Sequence, residues 1–321
     1  MTAALQDTRG RLHARLLFLR DYAIVGAVVV LFVVLSLTSD VFLTRTNLLN
    51  ITAQVVPTAI VAFAYTWLII CGEFDLSAGA VFVLTGIVAT NLYDDIGTYP
   101  ALLVGILVAT AYGAVNGFLV AYVRINSFVC TLATSIIAYG ITLAISQGRL
   151  LTITDSGFAT IGRGSFAGLR YSIWIMILCG AMVAFTLSRT KLGRWVYAVG
   201  GNPEAARLSG INTRAVKLLS FVVVGLAAGV GGAILASRTS VGQPGNGIET
   251  VFGAFSAVVV GGTSIGGGRG AIWRTVFGVF FLAMITNGFN LLGVSIYYQQ
   301  IIQGVIILFA VAVDALSRSD R

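Results

Sequence analysis

The stretch "ITAQVVPTAIVAFAYTWLIICGEFDLSAGAVFVLTGIVAT", residues 51–90, decides the fold class. Its first part, Ile51–Ile70, carries no charge and has the roughly 20 residues that a helix needs to cross a bilayer. A second uncharged run, Val81–Thr90, follows. Between them stand two acids, Glu73 and Asp75, in "CGEFDLSAGA". Acids at this place are either boundary chemistry at the ends of two spans or titratable groups in a transport path.

The rest of the chain has the same character. Of its 321 residues 57% are hydrophobic and 10% are charged, with a mean hydropathy of +0.94. Soluble domains carry about 25% charged residues, so the expected fold is all-α: a polytopic membrane helix bundle. Transmembrane barrels read as short alternating segments, unlike these long runs. Four prolines suit long helices, and 38 glycines suit close helix packing in lipid.

Ten apolar runs are candidate spans: 22–39, 51–70, 76–93, 101–122, 128–147, 171–187, 218–236, 250–268, 271–292 and 297–313. The third is short and the eighth is rich in glycine. About ten crossings with both termini cytoplasmic place five basic residues outside: Arg45, Arg149, Arg163, Arg170 and Arg238. The remainder of the 20 Lys and Arg fall inside, as the positive-inside bias requires. If 250–268 only dips in and returns, Arg269, Arg274, Arg318 and Arg321 move outside and the bias nearly vanishes. The net charge of +8 thus reads as topology, with no need for nucleic acid.

This division gives a basic N-terminal segment, 1–20, a single transmembrane domain, 21–314, and a short tail, 315–321. The N-terminal segment holds the one histidine, His13, and reads as a signal anchor with the span after it. Residues 148–170 read as a short external or re-entrant piece, and 188–217 as a basic cytoplasmic loop. Cys71, Cys130 and Cys179 lie far apart, with no disulfide or metal spacing. The glycine-rich "VVVGGTSIGGGRG", 258–270, lacks the lysine of a P-loop. If ATP drives this protein, another chain binds it.

Within the basic loop, "NPEAARLSG", 202–210, predicts a helix of about two turns. Asn202 can cap it, Pro203 suits its first position, Glu204 sits near its positive end and Gly210 ends it. On local physics alone this is either a connecting interfacial helix or a docking element.

Four segments in order carry a family resemblance. "LGRWVYAVGGNPEAARLSGIN" resembles the Glu-Ala-Ala loop region of bacterial ABC importer permeases, in the form found in ribose-, xylose- and arabinose-type sugar importers. "GEFDLSAGA", "AVVVGGTSIGGGRGAIWRTVFG" and "NGFNLLGVSIYYQQIIQGVIILFAVAVD" resemble further segments of that group. The family more often has Gly-Ile where this chain has Glu73-Phe74, so its pattern does not call for the Glu73 carboxylate. The resemblance implies an inner-membrane permease pair, homodimeric or with a similar partner. It also implies two ATP-binding subunits, which hold ATP and Mg, and a periplasmic binding protein that delivers the sugar. The chain itself needs no cofactor or metal. Carried over by position, the residues that couple to the ATPase are Gly200, Gly201, Asn202, Glu204, Ala205, Ala206 and Gly210. The two alanines would permit close packing, and Glu204 would reach a basic group on the partner.

The residues expected near the translocation path are Asp75, Ser77, Asn287 and Asn290. Asp75 precedes an apolar run and can cap the third span with help from Ser77, which leaves Glu73 in water at the inner interface. No histidine or lysine partner for the acids falls inside a span. Asn287 and Asn290 are three apart and share a helix face. With Gln299, Gln300 and Gln303 they either line a sugar path or hold helices together, and Tyr297 and Tyr298 fit an interfacial belt.

The leading function is therefore a passive translocation subunit with alternating access, driven by a separate ATPase. Alternatives are an ion-coupled secondary transporter, an ABC permease for branched-chain amino acids, and a membrane-embedded enzyme. The last lacks any nucleophile–base pair or His–acid cluster. "WLIICGEFDLSAGAVFVLTG" and "VVVGGTSIGGGRGAIWRTVFG" share an apolar–turn–apolar shape, a faint sign of a repeat.

Overall fold

The computed structural model describes residues 22–319. The N-terminal segment 1–20 and the last two residues of the tail lie outside the described residues. Thirteen helices and four two-residue strands make up the described chain. The first helix, α1, spans Tyr22–Thr38. It is followed by α2 (Arg45–Ile70), α3 (Ala78–Ile96) and α4 (Thr98–Phe118), the last ending in a π-turn at Leu119–Val123. Next come α5 (Ser127–Ser146), α6 (Thr160–Arg163), α7 (Tyr171–Arg189), α8 (Lys191–Gly201), α9 (Pro203–Leu208) and α10 (Thr213–Thr239). The chain closes with α11 (Ile248–Val260), α12 (Ile272–Leu291) and α13 (Ile296–Ser319). Strands β1 (Leu151–Thr152) and β4 (Val241–Gly242) pair with each other, as do β2 (Ser165–Phe166) and β3 (Leu169–Arg170).

Among the described residues, seven helices are long and apolar enough to cross a membrane: α2, α3, α4 with its π-turn, α5, α7, α10 and α12. The chain is thus a multi-pass helical membrane protein. All ten apolar runs read from the sequence contain a helix, with shifted ends. The last one continues to Ser319, beyond the 313 boundary.

α2 is the core of the bundle. Val55–Pro57 and Ala59–Ile70 are buried, so this part of the helix is apolar on every face for the ordinary reason that it has no lipid or solvent side. Around it pack α10, α12, α7 and α11. Close approach elsewhere rests on small residues: a Cβ on Gly113 of α4 would sit 2.4 Å from the Phe221 oxygen of α10. Interhelical hydrogen bonds add to this packing. Thr66 and Thr275 meet at 2.6 Å, and the Trp67 indole donates to Ser220 Oγ at 3.0 Å.

The helix ends gather on two faces. On one face lie the 71–77 turn, α8, α9, the start of α10 and the 261–271 loop. The other carries the strands and α6, where Ser237 Oγ donates to the Phe158 carbonyl and Gly162 N–H donates to Ser237 Oγ. Tyr93 also donates to the Asp155 carboxylate there, and that bond and the Gly157 N–H hold the Asp155 pKa below its usual value. Residues 148–170 form a folded cap over the helix ends on this face.

The eighth apolar run, 250–268, which the sequence leaves open between a full span and a piece that dips in and returns, is not one continuous helix. Its helix, α11, is thirteen residues long and ends at Val260, a length of about 20 Å that is too short to span the core. The preceding residues 242–247 carry the chain to its start without helix. Gly242 packs against Thr90 and Gly247 against Gly79, both on α3. The α3 helix rises about 17 Å between those two contacts, and the five extended steps from 242 to 247 cover about the same distance. The segment therefore descends along α3 as extended chain and turns into a helix part-way down. Non-helical backbone at such depth is tolerated only where protein or a water-filled cavity surrounds it.

α2 and α11 end in the same way. Cys71 and Gly261 have φ/ψ of −69°/−9° and −65°/−7°, and the following Gly72 and Gly262 have φ of +82° and +84°. Both turns close with the same three backbone bonds, from Cys71, Gly72 and Glu73 in one and from Gly261, Gly262 and Thr263 in the other. Glycine at the second position meets a left-handed φ that other residues resist. The apolar–turn–apolar likeness seen in the sequence is thus a likeness of backbone geometry.

Candidate functional site

The expected short helix is present as α9. Asn202 caps it, its Oδ1 accepting from Glu204 N–H at 3.1 Å and Ala205 N–H at 3.0 Å. Pro203 occupies the first turn and Gly210, with φ +82°, lies just past the end. Every residue from Gly201 to Gly210 is exposed except Ala206. Ala206 turns inward onto the chain's own helices, leaving Ala205 on the outer side. Glu204 is engaged by Arg207 one turn on, at 2.5 Å and 3.2 Å. That pair holds the Glu204 pKa below, and the Arg207 pKa above, its usual value. Leu208 is 77% exposed, a bare apolar side chain at the tip of a polar element.

Behind α9 the chain is anchored by a junction of three glycine-bearing segments. A Cβ on Gly200 would sit 1.6 Å from the Ile70 oxygen, and one on Gly267 would sit 2.6 Å from the Gly200 oxygen. Gly268 N–H donates to the Ile70 carbonyl at 2.8 Å, and Tyr197 Oη donates to the Gly270 carbonyl at 2.8 Å. The 71–80, 193–210 and 258–270 motifs are remote in sequence and meet here. Gly200 and Gly201 divide sharply: Gly200 is packed against backbone, whereas nothing lies within 4 Å of a Cβ on Gly201.

Of the two acids of 71–80, Asp75 is buried and Glu73 half-buried. Asp75 is 1% exposed; its Oδ1 accepts from Ser77 N–H at 2.7 Å and Ser77 Oγ–H at 2.6 Å. Asp75 thus fixes the turn that leads into α3, while Ser77 occupies the capping position itself and makes no side-chain cap bond. Ser77 Oγ accepts from the Asn116 amide at 2.7 Å, and Tyr65 Oη donates to the Asp75 carbonyl. Glu73 corrects the sequence reading that leaves it in water. Its side chain is only 9% exposed and pairs with Lys217. The sequence reading places Lys217 in the basic loop, but α10 begins at Thr213, so this lysine sits inside a helix and supplies the missing partner. The signal is local: Asn212 caps α10 through Ala215 N–H, and "NTRAVK" has the form of a helix start.

Asn287 and Asn290 are used between helices. Asn287 exchanges amide bonds with Asn47 of α2 at 2.9 Å and 3.1 Å. Asn290 accepts from Gln299 of α13 at 3.0 Å, and Gln303 donates to Thr286 at 3.1 Å. Three residues apart, the two asparagines tie α12 to different neighbours. Tyr297 and Tyr298 are 75% and 64% exposed, outside these bonds.

Seven long apolar helices with a capped, protruding helix on one face define a multi-pass membrane protein. The chain belongs to the permease family described as "Branched-chain amino acid transport system / permease component", whose pattern matches residues 47–311. It is 37% identical over 314 residues to the ribose import permease protein of Escherichia coli (strain K12), covering 96% of this chain and 98% of that one. It is 36% identical over 293 residues to the ribose import permease protein of Haemophilus influenzae, covering 90% and 91%. It is 37% identical over 301 residues to the L-arabinose ABC transporter permease protein of Azospirillum brasilense, covering 93% and 88%. No solved structure matches. The protein is a transport permease and not an enzyme.

Proposed function

We propose that the chain is the transmembrane subunit of an ATP-driven importer in a bacterial inner membrane, with about ten crossings and cytoplasmic termini. It forms, with a second permease copy, the path for a monosaccharide brought by a periplasmic binding protein. The observation that carries this reading is α9: a capped helix, exposed on nearly every residue, with Leu208 bare at its tip and the packed glycine junction behind it. A rigid mount and an exposed apolar tip are what a lever pressed by an ATPase requires. A sugar as cargo is supported by relatives named for ribose and arabinose over nine-tenths of the chain. The family description also covers branched-chain amino acids, which makes leucine uptake the control.

The basic residues support the orientation. Arg124, Lys191, Arg194, Arg207, Arg214 and Lys217 all belong to the face that carries α9, where the positive-inside bias wants them. The crossing count is supported by the broken eighth run, whose extended and helical halves together are long enough for one passage. The test of the reading is assembly. The purified permease should retain its ATP-binding subunit in detergent, and Leu208→Asp should release it while leaving the permease folded. Retention by Leu208→Asp would remove α9 from the interface.

A further inference from the structure

The break in the eighth run creates a polar strip where a lipid-facing helix would be apolar. Gly79 is seven residues before Gly86 on α3, and Gly86 meets Ala236 near the far end of α10. Gly247, packed on Gly79, therefore lies about 10 Å inside the level of Ala236. α10 as a whole is about 40 Å long. The start of α11 is thus well within the membrane thickness. At this depth Asn246 and Glu249 are exposed, as are Ile248 and Phe252, with Gln243 exposed on the extended part above.

A second helix adds to the strip. α2 and α11 run side by side in the same direction, since both end at the same face and Gly268, in the loop after α11, donates to Ile70 at the end of α2. Gly253 of α11 faces Thr58 of α2, at 3.5 Å from a Cβ to the threonine methyl. One turn back on each helix stand Glu249 and Gln54, so the parallel register sets them across the same groove. Gln54 is exposed, although from Ile51 onward the rest of α2 is buried or half-buried.

A carboxylate facing hydrocarbon is strongly disfavoured, and such groups face a bundle interior or a water-filled path. The groups offered here are a carboxylate, three amides and a phenyl face. Carboxylate and amide oxygens accept from hydroxyls, and amide N–H groups donate to them. The phenyl ring packs on the C–H face of a sugar ring. We infer that Gln54, Gln243, Asn246, Glu249 and Phe252 form the contact zone for a small polyhydroxylated solute at the middle of the permeation path. The inference rests on the transport reading above and places the contacts away from Asp75, Ser77, Asn287 and Asn290, whose side chains are engaged within the chain; in the strip itself Asn246 Oδ1 accepts from Ile248 N–H at 3.2 Å, which leaves its amide N–H groups to meet a solute oxygen.

The experiment has two arms. In the first, Glu249→Cys in the assembled complex is treated with a charged, water-soluble maleimide. Labelling is expected. Its absence, as for a residue in lipid or in a tight contact with the second copy, overturns the inference whether or not any sugar is carried. In the second, ATP-dependent uptake of ribose, arabinose and xylose is measured in proteoliposomes. Gln54→Ala and Glu249→Gln should each cut uptake by about tenfold or more, with ATP hydrolysis stimulated by the binding protein kept within about twofold. Unchanged uptake, or uptake and ATP hydrolysis falling together as for an assembly surface, overturns it. Failure of the wild type to take up any of the three sugars, with position 249 still labelled, would strike the sugar reading and leave the aqueous path standing.

Discussion

Gly200 lies so close to the carbonyl of Ile70 that a Cβ at position 200 would sit 1.6 Å from that oxygen. No side-chain rotation relieves a clash between backbones, so any larger residue must push α8 off the end of α2. Gly200→Ala should cost about 3 kcal/mol or more, seen as a lower thermal unfolding temperature in detergent. It should also weaken coupled uptake, because α9 loses its mount. Gly201→Ala, next to it and open to space, should be near neutral. Equal behaviour of the two variants would contradict the junction.

The Glu73–Lys217 pair makes a different kind of prediction. Removing one partner leaves a shielded charge alone, which for this partly exposed pair should cost about 1–3 kcal/mol. Glu73→Gln should therefore lower the unfolding temperature. Glu73→Gln with Lys217→Met should recover part of the loss, since no charge is then stranded. A double variant worse than the sum of the singles would contradict the pairing.

Asp75 acts as an acceptor for the two Ser77 donors. Asparagine can still accept through its side-chain oxygen, whereas alanine cannot. Asp75→Asn should keep expression and transport near wild type, and Asp75→Ala should lose about 1 kcal/mol of stability and reduce both. Loss of transport in Asp75→Asn with normal expression would show that the negative charge itself matters.

The Asn47–Asn287 exchange should act as helix glue. A cycle of Asn47→Ala and Asn287→Ala should give a coupling energy of about 1 kcal/mol in detergent unfolding, with uptake largely retained. Additive losses would mean the two amides act apart.

Much of the fold is legible in the sequence, and the failures have physical reasons. Hydropathy locates all ten apolar helices because lipid demands uninterrupted apolar runs. The α9 cap is legible because capping is local: Asn202 bonds atoms two and three residues away. Long-range partners are not. Nothing at positions 70, 200 and 268 announces that their backbones touch, since glycine marks close approach without naming what approaches. Lys217 escapes notice as the partner of Glu73 because the start of α10 is polar and reads as loop. The eighth run misleads because Gly261 and Gly262 are uncharged, so hydropathy carries the segment past the point where the helix stops. The extended half, "GQPGNG", reads as a loop for the same reason in reverse: proline and glycine mark a break and give no depth.

The central claim is that an ATPase acting on α9 drives transport through this bundle. Its most direct test is uptake of labelled ribose, arabinose and xylose into proteoliposomes that contain the permease, its ATP-binding subunit and its binding protein. The account predicts uptake of at least one sugar that requires ATP on the α9 side and is unchanged by a protonophore. Uptake that persists without ATP and collapses with the protonophore would contradict it.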